Sequence, residues 1–266
     1  MIQKTKAAVD ATLNLIDGVR ITPEGAEAQQ ELGRSALTVT KAINNVLLPI
    51  AAVNFGFEKA KEYFENRFAT DFKNATKNIP PAEVVEPKAS VAAPALQGLG
   101  FRHQEPNIKQ MYLNLLRTAV DRRSKTGGHP SFSEIIKQLS AEEAGLLLGV
   151  LAVKHNIPIV DVWRVIADGK GEVTLERHVL NLVKRDDSGI ALVHGLAAMV
   201  DNWSRLGLVE VDYTRHLVKE NAYTWARKRP EYLRHLPSDC DGTSIEFRNA
   251  VLKVTDFGKA FFSAVA

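Results

Sequence analysis

Ala250-Val251-Leu252-Lys253-Val254-Thr255-Asp256-Phe257-Gly258-Lys259-Ala260-Phe261-Phe262 holds a strand and a helix with no loop between them. Four of its first five residues are apolar and suit a pleated, half-buried strand. Thr255 then offers a side-chain oxygen to the free N–H groups of a first helical turn, and Asp256 sets a negative charge there. Upstream, the spacing predicts a helix over Ser188 to Arg205 that leaves as a strand through Leu206-Gly207-Leu208-Val209-Glu210-Val211. A helix, a strand, an insertion over 212–249, a second strand and a Thr-x-x-Gly helix predict a winged-helix-like α+β half over 129–266. The insertion carries a helical stretch of its own, Lys219 to Arg229, where a simple wing would have a short hairpin.

Further outward, Ile159, Val160, Val162, Trp163, Val165 and Ile166 precede the turn Asp168-Gly169-Lys170-Gly171. Val173, Leu175, Val179 and Leu182 follow it, which predicts a hairpin over 159–183. His129-Pro130-Ser131-Phe132 opens a short helix to Gln138. Ser140 and Glu143 stand at capping-box spacing before a helix with Leu146, Leu147, Val150 and Leu151 on one face. Residues 95–128 read as connecting helices, one of them running from Pro106 to Lys125 with Ile108, Met111, Tyr112, Leu115, Leu116 and Ala119 inward. Residues 79–94, rich in proline, read as an extended linker.

Residues 1–78 form an N-terminal helical region. Apolar residues at Ala36, Val39, Ile43, Val46, Ile50, Val53, Phe57, Ala60 and Phe64 repeat at spacing three and four, a packing stripe that Pro49 should kink near Asn45 to Leu48. The class is therefore mainly α with a small β component: an N-terminal helical region plus the winged-helix-like C-terminal half.

Composition narrows the functions. With 45% hydrophobic and 24% charged residues the chain can bury a core of ordinary size. Residues 1–128 carry a net +4 and residues 129–266 a net −1, the wrong sign for a C-terminal half that neutralises phosphates. Cys240 is the one cysteine, which excludes an intrachain disulfide and a Cys-based zinc site, and no secretion signal is read at the start; a cytoplasmic location is expected. The nucleotide-binding, zinc-protease and serine-hydrolase signatures are all missing, and no two of the seven histidines stand four apart. No catalytic, cofactor or metal residue is assigned, and no small-molecule substrate is inferred.

Several blocks, in order, resemble the abortive infection alpha (Abi-alpha) family of bacterial proteins. They are Leu48-Pro49 through Asn54-Phe55-Gly56-Phe57-Glu58-Lys59, Ile79-Pro80 to Glu86-Pro87 with Ala93-Pro94-Ala95-Leu96-Gln97, His129 through Ser140, Leu206-Gly207-Leu208-Val209, and Thr255 through Phe261. The resemblance covers roughly 35–266 and is weakest at 159–183 and 212–249. It implies a role in phage defence, in which an infected cell stops growing or dies before phage is released, and it implies no reaction.

The surfaces singled out are the stripe positions Val46, Ile50, Val53 and Phe57, the loop histidine His129, and the outward side of the 188–205 helix with His194, Asn202 and Arg205. The first expectation is a non-enzymatic defence or interaction protein with a protein partner or self-association. A DNA-binding winged-helix regulator ranks second, and a membrane-damaging effector acting through 36–57 ranks third. That segment's longest uncharged part, Ala42 to Phe57, falls short of the about 20 apolar residues a span needs.

Overall fold

The computed structural model describes residues 54–124, 128–166, 171–183, 189–236 and 243–266. They form a mainly helical protein with one four-stranded antiparallel sheet. The chain divides into two compact units, with the divisions between Gly145 and Leu146 and between Lys259 and Ala260.

The first unit holds α1 (Asn54–Asn66), α2 (Phe68–Thr76), a 3-10 turn at Pro81–Glu83, α3 (Ala89–Arg102), α4 (Pro106–Val120) and α5 (Ser131–Lys137). Ser140 starts α6 (Ala141–Leu151) through the expected capping box: its Oγ accepts the Glu143 N–H at 3.1 Å, and Glu143 Oε2 accepts the Ser140 N–H at 3.2 Å. The core is built on α4, where Ile108, Met111, Tyr112 and Leu115 are fully buried, each worth about 1.5–3 kcal/mol when taken out of water. Gly100 brings α1 close to α3, because a Cβ there would meet the Phe64 ring at 3.1 Å. Ala60 and Phe64, the tail of the apolar stripe, thus pack where the periodicity placed them; the expected kink near Asn45 lies outside the described residues.

Three expectations are corrected. The 79–94 segment is not extended throughout: a 3-10 turn occupies Pro81–Glu83, and α3 begins at Ala89 with Pro94 in its second turn. The lost Pro94 N–H removes one bond to the Ser90 carbonyl, while Val91, Ala92, Ala95 and Leu96 gain burial. Nor is the segment a free linker: Val85 donates its N–H to Val120 O at 2.8 Å, and Arg122 donates to Glu83 O at 2.8 Å. The His129 to Gln138 block, which the sequence groups with the C-terminal half, belongs to the first unit, where Phe132 meets Phe261 edge-on at 5.4 Å.

The second unit contains β1 (Ile157–Ile166), β2 (Gly171–Leu180), α7 (Leu196–Arg205), β3 (Val209–Asp212), a 3-10 turn at Thr224–Lys228, α8 (Pro230–Leu233), β4 (Thr243–Val254) and the start of α9 (Asp256–Val265). The strands lie in the order β2-β1-β4-β3. The hairpin expected over 159–183 is present as β1 and β2.

The predicted 188–205 helix is shorter, starting at Leu196 behind Gly195, whose φ of +73° suits glycine and breaks a helix. Before it, Ile190 bridges Val183 and the Ala191 N–H reaches Leu182 O at 3.0 Å. The helical stretch expected over 219–229 shrinks to the 3-10 turn. Arg229 precedes Pro230 and is held extended at ψ 138°, which stops a helix there.

Strand alternation gives the sheet two faces. Val160, Val162 and Val179 point to the side covered by the insertion, where they pack with Ala226 and Tyr232. Asp161 and Trp163 point the other way. At the junction of β4 and α9, Thr255 Oγ1 donates to Gly207 O at 2.6 Å and accepts the Gly258 N–H at 2.9 Å. A Cβ on Gly258 would lie 2.1 Å from Leu208 O, so the Thr-x-x-Gly spacing is a packing requirement.

Candidate functional site

Val160 pairs with Val179 and Val162 with Glu176, so Arg177 and His178 together oppose the single residue Asp161. This is a β-bulge, a device that re-aims a side chain. It leaves His178 with φ +56°, a left-handed conformation that costs a residue with a Cβ about 1–2 kcal/mol. Asp161, itself buried, holds it there by accepting the His178 N–H at 2.8 Å.

The side chains continue the restraint. Tyr213, in the turn just past β3, donates its hydroxyl proton to Asp161 Oδ1 at 2.7 Å, and its oxygen lies 2.9 Å from His178 Nδ1. His178 Nε2 lies 3.1 Å from Arg177 Nη2 and 3.0 Å from Oδ1 of Asp201 on α7. With a proton on Nδ1 the donors run from Arg177 to His178 to Tyr213 to Asp161, and Asp201 serves as the counter-charge of Arg177 at 3.2 Å. Burial, then the hydrogen bond to Asp161, push the Tyr213 phenol well above its ordinary value. A phenol so placed is a poor nucleophile. The Arg248 guanidinium lies over the Tyr213 ring at 5.1 Å and near Trp163 at 5.9 Å. Both ring nitrogens of His178 are engaged, and among the described residues no three His, Cys, Asp or Glu side chains gather to hold a metal ion. The arrangement is a lock on the bulge.

The insertion's side of the sheet differs. An open groove of about 470 Å³ runs between 219–227 and β4, lined by Lys219, Tyr223, Arg227, Ile245, Phe247 and Asn249, among others. Arg227 stands over the Phe247 ring at 5.7 Å, and neither it nor Lys219 makes an ion pair among the described residues. Two residues on, Arg229 is fully buried. It donates to Leu182 O at 2.9 Å and Ala191 O at 3.0 Å and pairs with Glu231 at 2.5 Å. Arg227 and Arg229 thus differ in kind: the first is exposed, and the buried second is a clamp.

Of the surfaces singled out by sequence, Val46, Ile50 and Val53 lie outside the described residues, and Phe57 is on the first turn of α1. His129 is exposed ahead of α5, its Nδ1 accepting the Ser131 N–H at 3.2 Å and lying 2.6 Å from Ser131 Oγ. His194 is exposed in the turn before α7. On α7, Arg205 donates to Asn202 Oδ1 at 2.6 Å, so these two meet each other. None of them belongs to the bulge lock or the groove. Asp161, His178, Tyr213 and Arg248 were not anticipated; an acid inside the apolar run from Ile159 to Ile166 was the available signal. No helix among the described residues is long and apolar enough to cross a membrane.

No curated protein and no solved structure matches the chain. The profile for abortive infection alpha matches residues 57–265, which takes in α1 from Phe57, the whole sheet, the bulge lock, the groove and the Thr-x-x-Gly junction. The chain belongs to the abortive infection alpha family.

Proposed function

We propose that this protein takes part in phage defence of the abortive-infection type, and that it acts in the cytoplasm by binding a protein partner and not by turning over a substrate. The family match over residues 57–265 carries the first part of this reading. The second is supported by the Asp161, His178 and Tyr213 side chains, whose hydrogen bonds run to one another and to Arg177 and Asp201, leaving no activated nucleophile among these three. A phage challenge tests the defence role: express the chain in a sensitive bacterium and record plaque counts and culture survival at low and high ratios of phage to cell. Protection at the low ratio with culture collapse at the high ratio is the expected result, and no effect on several unrelated phages would contradict it.

A winged-helix regulator is the second reading, favoured by α7 leading directly into β3 and on to β4 and α9. In it α7 would lie in the DNA major groove. That helix presents the carboxylate of Asp201, half-exposed, and its terminal Arg205 is tied to Asn202. Salt-dependent binding to promoter DNA that is lost in Arg205→Ala would favour this reading over the first.

A further inference from the structure

We propose that the outer edge of β4, from Ser244 to Asn249, with the groove beside it, takes up an extended, acidic and apolar segment of a protein partner as an added strand. This rests on the reading that the protein acts by binding, and it deepens that reading by naming the site and the chemistry of the partner.

Three observations converge. First, β4 pairs with β1 along Thr243 to Leu252, while β3 covers its other edge only from Val251 to Val254. The outer edge from Ser244 to Asn249 therefore has no strand partner among the described residues, and backbone groups on such an edge are a template for another chain. These six residues, at about 3.4 Å each, match a strand of ordinary length. Second, the groove follows this edge: Ile245, Glu246, Phe247 and Asn249, of both strand parities, line it. Its far wall is fixed by Tyr223, whose hydroxyl donates to Ala250 O at 2.9 Å and accepts the Leu217 N–H at 2.9 Å. That bond ties the wall to β4 next to Val251, where the pairing with β3 begins.

Third, the lining sets the chemistry of the occupant. Ile245 and Phe247 are half-buried at the fringe of the sheet's core and offer an apolar floor. Lys219 and Arg227 are exposed cations without an ion pair among the described residues, and Arg227 is positioned over Phe247. The one carboxylate of the lining, Glu246, is engaged by Ser244 Oγ at 3.0 Å. An occupant with apolar side chains toward Phe247 and carboxylates toward Lys219 and Arg227 complements all of these; a basic segment does not.

The test uses the full chain and a fluorescein-labelled seven-residue peptide of alternating glutamate and valine, read by fluorescence anisotropy. Three controls go with it: the peptide with lysine for glutamate, the peptide with a central proline, and the Lys219→Glu/Arg227→Glu variant. Saturable binding is expected, at least tenfold weaker for the proline peptide, undetectable for the lysine peptide, and at least tenfold weaker in the variant with its unfolding midpoint unchanged. The proposal is overturned by absent binding at millimolar peptide, by equal binding of the lysine peptide, or by a sedimentation equilibrium showing that a second copy of the chain occupies the edge. Phage protection without peptide binding would sink this site and spare the defence reading, whereas peptide binding without protection would do the reverse.

Discussion

The two sides of the sheet use their polar and charged groups differently. Around Asp161 the groups are close and mutually bonded, with Asp161 and His178 buried, so that a left-handed His178 is held in the bulge. Along β4 the groups are exposed, with a strand edge that β3 does not cover and two cations that no carboxylate meets among the described residues. Saturated polar groups make a rigid part; groups still open to a partner make a surface on which binding energy can be gained.

The sharpest break in this comparison would come from two arginines two residues apart. Arg229→Ala removes a fully buried guanidinium from Glu231 and from two carbonyls, and is expected to cost about 3–5 kcal/mol by urea unfolding. Arg227→Ala should stay within about 0.5 kcal/mol of the parent. Equal losses would mean that Arg227 is as structural as its neighbour.

Next in size, Asp161→Ala leaves the His178 N–H and the Tyr213 hydroxyl without their acceptor, and about 2–3 kcal/mol should be lost. A neutral result would remove the lock from the account. At the bulge itself, His178→Gly and His178→Ala both delete the imidazole, but only glycine relieves φ +56°. The glycine variant should be the more stable of the two by about 1 kcal/mol, and an alanine variant that matched it would show that the backbone relaxes when the ring is gone.

The smallest effect is a titration. The Asp212 carboxyl is held down to about 2, first by the Thr214 hydroxyl and then by Lys253. A depressed carboxyl stabilises the fold above its ordinary value of 3.8, and that contribution disappears as pH falls through about 2. Thr214→Val should move the Asp212 midpoint upward in an NMR titration; an unmoved midpoint would put the cause elsewhere.

Local chemistry was legible in the sequence, and long-range pairing was not. The Ser140 and Glu143 capping box, the Thr255 cap and the α4 core face depend on residues within a few positions of each other, and each has its expected form. The overlong 188–205 helix came from reading apolar spacing through Gly195, where a left-handed backbone outweighs periodicity. The lock escaped notice because Asp161, His178 and Tyr213 are joined over separations of 17, 52 and 35 residues. The open edge of β4 escaped for a related reason: strand order and the short reach of β3 are set by pairing across the insertion.

The most direct measurement is plating efficiency in cells that carry the parent chain or its Lys219→Glu/Arg227→Glu variant at equal expression, with unfolding midpoints taken alongside. The β4 groove as the working surface predicts that the variant keeps its midpoint and loses phage protection. Full protection with both charges reversed would contradict it.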